Sequence, residues 1–167
     1  MTQSTTVRPA ALADMAAISK LHGEAFGPGR FVRTAYRVRE ETPLVSPFCR
    51  VCLSETGELV AAVRFTAVRI GGVRGHLMLG PLAVAAAYAN QGYGRALIAD
   101  GLAQARRDGI GLVLLVGDEP YYGRLGFARV PMGQIRMPGP VDPMRLLAAE
   151  LRAGALAEAG GVVSADA

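Results

Sequence analysis

Tryptophan is missing from the 167 residues, lysine occurs once, at Lys20, and there are only two cysteines and two histidines. These scarcities close several routes. A phosphate loop of the G-x-x-x-x-G-K-[ST] kind needs a lysine beside its glycines, and Lys20 stands well away from any such run. Cys49 and Cys52 form a C-x-x-C inside an apolar segment that reads as a strand, where three-residue spacing turns the two thiols to opposite faces. They are read as small buried side chains, and not as a redox pair or, with His22 and His76, a zinc site; no metal is expected. Apolar runs stop short of the roughly 18 to 20 uncharged residues a membrane helix needs, so no membrane partner is expected. The opening residues lack a basic stretch followed by an apolar one, which makes the cytoplasm the expected location. Runs of basic residues are missing too. The eighteen Lys and Arg are spread from Arg8 to Arg152, and a net charge of +4 so distributed does not make a nucleic-acid surface, although it suits an anionic ligand.

What is present is a chain that is 51% hydrophobic and 19% charged, enough to bury one substantial core. Residues 1–167 are read as a single domain. Leu12, Met15, Ile18 and Leu21 recur at helical spacing over residues 11–24, and after the break at Gly27-Pro28-Gly29 a second helical stretch covers residues 31–40. Residues 50–54, 59–70 and 73–84 are dense in strand formers and separated by turn-like Glu55-Thr-Gly-Glu58 and by Gly71-Gly72, which predicts an antiparallel meander. Pro81 lies inside the third strand. Having no amide proton, it should stop pairing on one side and open a gap. A turn at residues 90–94, a helix over 95–108 and an apolar strand over 112–116 make a β-α-β crossover. A compact segment over 121–127, a short strand near 128–130 and an amphipathic helix over 142–156 follow, and the tail from 160 to 167 fits either a flexible end or an edge strand.

The turn before the second main helix carries Gly92 and Gly94. Amides at a helix start have no partner within the helix and lie at the positive end of its dipole, and side-chain-free glycines let a pyrophosphate approach them. The dinucleotide fingerprint is poorly met, because Leu97 occupies the place of its third glycine and the turn follows a meander instead of opening the fold.

Three ordered segments, Leu79-Gly-Pro-Leu-Ala-Val84, Ala89 to Leu97 with its Gln91-Gly-Tyr-Gly-Arg95, and Gly117 to Phe127 with its Tyr121-Tyr122 and Gly126-Phe127, resemble the GCN5-related N-acetyltransferase (GNAT) family and a bacterial branch of it. The likeness covers about residues 7 to 135. It implies an α/β (α+β) fold with a mixed, mainly antiparallel sheet flanked by helices, and a splayed strand pair that holds the cofactor. It implies acetyl-CoA as co-substrate, its pyrophosphate surrounded by Gln91, Gly92, Tyr93, Gly94, Arg95 and Ala96, and its pantetheine arm paired with Leu82, Ala83 and Val84. The family usually begins the turn with Gln or Arg where this chain has Ala89.

By the same resemblance, Tyr122, four residues before Gly126-Phe127, is the general acid that protonates the departing thiolate, with Tyr121 as a neighbour. The backbone amide of Val84 is the expected oxyanion donor. Many members carry a glutamate base where this chain has Leu79-Gly80-Pro81. Asp118, Glu119, Glu24, His22 and His76, or a relay of ordered water, are the substitutes considered. The activity implied is acetyl transfer to a primary amine of a small molecule or peptide; the alternative is a catalytically silent acyl-CoA-binding or sensor domain. A homodimer is also open, with Met132, Met137 and Met144 as a candidate apolar face.

Overall fold

The computed structural model describes residues 5–26, 38 and 42–166. The helical stretch expected over 31–40 and the Gly27 to Gly29 break lie outside the described residues, Val38 excepted.

The valine-rich stretches form strands because branched side chains pack well on a pleated surface, and they turn where glycine permits. β1 (Thr6–Pro9), β2 (Arg50–Leu53), β3 (Leu59–Ile70) and β4 (Val73–Val84) pair antiparallel in that order. Gly71 and Gly72, with φ of 58° and 80°, supply the left-handed backbone of the long hairpin's turn. β4 runs parallel to β5 (Leu112–Val116), so the chain must cross a face between them, and it does so through α2 (Tyr93–Arg107). β8 (Leu146–Glu150) pairs antiparallel with β5 and with the short β6 (Ala128–Arg129), giving the order β1-β2-β3-β4-β5-β8-β6.

The two faces of this sheet carry different helices. Leu97, Ile98 and Leu102 of α2 pack against Phe65, Leu77, Leu79, Val113 and Leu115. Ile18 and Leu21 of α1 (Met15–Phe26) cover Val51, Ala62 and Ala83 on the other face. Cys52 belongs to the first cluster, whereas Cys49 lines a cavity beneath α1; both are free and buried, and they face opposite ways as expected. Arg50 is only 4% exposed, and its Nε donates to Asp100 of α2 at 2.6 Å while Nη1 donates to the Pro47 and Cys49 carbonyls. The guanidinium thus ties β2 to α2.

Two expectations change. The helix expected over 142–156 is instead a 3-10 turn (Pro143–Arg145), strand β8, and a four-residue α4 (Ala155–Glu158). Leu146 to Ala149 are all buried, and a short apolar run buried on both faces carries no period that separates strand from helix. Five pairs with β5 outweigh the helix preference of Leu and Ala. The strand expected to stop pairing on one side at Gly80-Pro81 loses its β5 neighbour earlier, after Met78. β4 stays paired with β3 as far as Val84, past a register shift between Val63 and Phe65 that sets Arg64 opposite the proline, where no amide proton is available.

Of the two options for the tail, a strand is found, but one with two neighbours instead of a free edge. β9 (Gly161–Ala165) pairs with the far half of β3 and with β7 (Ile135–Arg136). The missed strands are β1, of four residues, and β7, of two, both too short to show a pattern.

Candidate active site

Pairing between β4 and β5 consists of Leu77 with Val113 and Met78 with Leu114. Beyond that point β5 stays with β8 as far as Val116, while β4 follows β3. The two parallel neighbours therefore part at Leu79. The Ala85 amide donates to the Val60 carbonyl at 2.8 Å, which fixes the parity of the antiparallel ladder. Ala83 accordingly turns its backbone groups toward β3, and the N–H and C=O of Leu82 and Val84 turn to the opposite edge. Side chains alternate as well: Leu82 and Val84 lie toward α2, while Ala83 and Pro81 lie toward α1.

The free edge leads directly into the glycine turn. After a 3-10 turn (Ala86–Tyr88), Asn90 and Gly92 adopt left-handed backbone, with φ of 59° and 88°, and Gly92 caps α2. The Ala96 amide bonds the Gly92 carbonyl at 3.0 Å as the first turn of the helix closes. The amides of Tyr93, Gly94 and Arg95 precede that bond, so no carbonyl of the helix lies ahead of them. A Cβ on Gly94 would stand 2.9 Å from Tyr121 Oη and 3.4 Å from Leu82 Cδ2, so the first turn of α2 sits close against β4 and the tyrosine. Tyr88 and Tyr93 flank the turn edge to face, their ring centroids 5.7 Å apart. Ala89 is exposed, and Gln91 turns its amide back onto the Ala87 carbonyl at 3.4 Å. The turn thus offers backbone donors and a helix dipole to an anion, with Arg95 exposed beside them.

The two tyrosines stand on α3 (Glu119–Tyr122), just past the end of β5. Their rings are 4.8 Å apart and nearly perpendicular, at 85°. Tyr122 packs on Phe127 at 6.0 Å and lies over Gly117, where a Cβ would meet its ring at 2.5 Å. Burial, with the neighbouring Tyr121 and Asp118, pushes the Tyr122 hydroxyl up to about 12, so it holds its proton throughout the neutral range.

The candidate bases scatter. His76 is buried at the paired end of β4, about six residues, or roughly 20 Å, from Leu82. Its Nδ1 accepts from the Leu112 amide. Asp118 pairs with Arg145 at 3.3 Å and Glu119 with Arg129 at 3.2 Å, and Glu24 is on the outer side of α1. His22 does reach the site. It lines a cavity of about 310 Å³ between α1 and the sheet, together with Ser19, Cys49, Arg64 and Pro81. Pro81 is the residue at which the cavity meets the splayed part of β4. Arg64 and Ser19 were not foreseen as site residues. The signal for Arg64 was a charge inside the apolar run from Val60 to Val68, but only the bulge sets it opposite Pro81.

This architecture, with an antiparallel meander, a glycine turn into a helix and a strand pair that parts beside it, defines an acyl-transferase fold. Residues 15–127 match the model of the acetyltransferase (GNAT) family, and the chain belongs to that family. No curated protein matches the sequence. Among solved structures, the GNAT family N-acetyltransferase YhbS from Escherichia coli, in complex with CoA, superposes with a TM-score of 0.84 at 23% identity, covering 99% of this chain and 91% of its own. A GNAT family acetyltransferase from Brucella melitensis, in complex with acetyl-CoA, gives 0.64 at 26% identity, with 89% and 97% covered. The ribosomal-protein-S18-alanine N-acetyltransferase from Escherichia coli gives 0.60 at 19% identity, with 89% and 94% covered. The expected mixed, mainly antiparallel α/β fold is thus found.

Proposed function

We propose that this protein transfers the acetyl group of acetyl-CoA to a primary amine of a small molecule or peptide. The carrying observation is the continuity of two donor surfaces: the edge of β4 at Leu82 and Val84, unpaired beyond Met78, runs into the amides at the start of α2. An extended pantetheine arm has amide groups that pair with such an edge, and the pyrophosphate at its end falls at the helix start. The CoA and acetyl-CoA held by the Escherichia coli and Brucella melitensis proteins support the same donor here.

In this reading the amine enters from the α1 cavity and attacks the thioester carbonyl carbon beside the free edge of β4. A C–N bond forms, the carbonyl oxygen becomes an oxyanion, and the Val84 amide on that edge donates to it. The C–S bond then breaks. His22 takes the proton released by the amine, and Tyr122 gives its own to the departing sulfur, so the products are the N-acetylated acceptor and CoA with a free thiol. The two protonation states are restored when His22 returns the proton through water to Tyr122.

Thiol release from acetyl-CoA in the presence of a panel of amines tests the proposal. Amine-dependent release at micromolar acetyl-CoA is the expected result. Tight acetyl-CoA binding without release on any amine would favour a silent acyl-CoA sensor, and no binding at all would end the acetyl-CoA reading.

A further inference from the structure

Gly94 poses a question that its backbone does not answer. It lies inside the first turn of α2 with ordinary helical geometry, where glycine costs roughly 1 kcal/mol relative to alanine. Space explains it. The atom closest to the position of its missing Cβ is the hydroxyl oxygen of Tyr121, at 2.9 Å, ahead of Leu82 Cδ2 at 3.4 Å. Tyr121 is 41% exposed, and its hydroxyl has no hydrogen-bond partner among the described residues. Its ring nevertheless lies in against the helix instead of turning out to solvent. The Tyr121 amide is tied to the Asp118 carbonyl at 3.2 Å, and the ring rests against Tyr122 at right angles. A phenol O–H is thus held beside the amides of the α2 start and the Leu82 side chain.

We propose that Tyr121 is a cofactor-binding residue, distinct in role from Tyr122, whose hydroxyl donates a hydrogen bond to the pyrophosphate of acetyl-CoA where that group meets the first turn of α2. The assignment rests on the acetyl-CoA reading above. Backbone amides at the helix start would supply donors to the phosphates, and the phenol beside Gly94 would add a side-chain donor to them. A hydrogen bond to an ionised phosphate contributes more than one between neutral groups, and its loss should weaken binding about tenfold. Gly94 serves the contact by leaving the phenol its place.

The test compares the native chain with Tyr121→Phe, Gly94→Ala and the double variant, measuring CoA dissociation constants by calorimetry and acetyl-CoA kinetics by thiol release. Tyr121→Phe should weaken CoA about tenfold and raise KM for acetyl-CoA in step, with kcat and melting temperature unchanged. Gly94→Ala should weaken CoA in the native background by displacing the hydroxyl, and cost much less when Phe already stands at 121. An unchanged dissociation constant in Tyr121→Phe overturns the proposal. So does a fall in kcat at constant affinity, which would make Tyr121 the acid, and so do additive losses in the double variant. If the native chain does not bind CoA, the acetyl-CoA reading itself fails; if it binds and Tyr121→Phe binds equally, only the role of Tyr121 does.

Discussion

Where β4 and β5 are still paired, Nδ1 of His76 accepts a hydrogen bond of 3.2 Å from the backbone amide of Leu112. Only a neutral imidazole has that lone pair to offer. Burial, and to a lesser degree the nearby Arg152, hold the histidine below its ordinary value of 6.5; Arg74 and Glu158 line the same small cavity.

A stability profile follows from this bond. A base whose folded pKa is depressed contributes stability that is complete above the unfolded value and is lost as pH falls through the window down to the folded one. The native chain should therefore lose stability below about pH 6.5 more steeply than His76→Asn, whose amide oxygen can accept from Leu112 without titrating. Urea unfolding midpoints at pH 7.5 and pH 5 decide the matter, and equal slopes for the two proteins would show that His76 contributes nothing to the profile.

Gly101 lies beneath the aromatic ring of Phe65, with room for no more: a Cβ there would stand 2.5 Å from Phe65 Cε2 and 3.0 Å from the Phe48 carbonyl oxygen. Gly101→Ala gains about 1 kcal/mol of helix preference but meets an overpacking cost of about 1–3 kcal/mol. A net fall in the urea midpoint is expected, with recovery when Phe65→Leu is added. A more stable single variant would contradict this packing.

Tyr122→Phe should lower kcat by about 100-fold, in the range of general acid catalysis, with CoA affinity preserved because the ring still packs on Phe127. Because the hydroxyl is pushed up to about 12, no alkaline loss of activity below pH 11 should trace to it. Steady-state kinetics with calorimetric binding test both points; unchanged kcat would remove Tyr122 from the chemistry.

His22→Gln keeps a polar side chain in the α1 cavity and removes the proton acceptor. A fall in kcat/KM of about 100-fold is expected, with CoA affinity preserved. An unchanged kcat/KM would point to a water relay and away from the imidazole.

Much of the fold was legible because it is local. The β3 and β4 pattern, the Gly71-Gly72 reversal and the apolar strand from Leu112 to Val116 are written in short-range alternation and turn chemistry, and the observed strands coincide with them. The segment from 142 to 156 was not legible, since Leu-Leu-Ala-Ala satisfies a helix and a doubly buried strand equally well until β5 stands beside it. The tail was undecided for the same reason. Gly161 to Ala165 is a strand because β3 and β7 offer it hydrogen bonds.

The amino-acid sequence by itself determined the glycine turn at Gly92 and Gly94 and the tyrosine four residues before Gly126-Phe127, because a turn and a motif depend on neighbours in the chain. Tertiary structure alone decided the rest of the site. It turned Leu82 and Val84 to an edge that β5 abandons after Met78, set His22 and not His76 against the Pro81 end of the cavity, and separated Tyr121 from Tyr122 by aiming one at Gly94 and the other at Gly117. Such relationships depend on strand parity, a bulge at Arg64 and the approach of helices from opposite faces, which join residues dozens of positions apart and leave no trace in any short stretch of sequence.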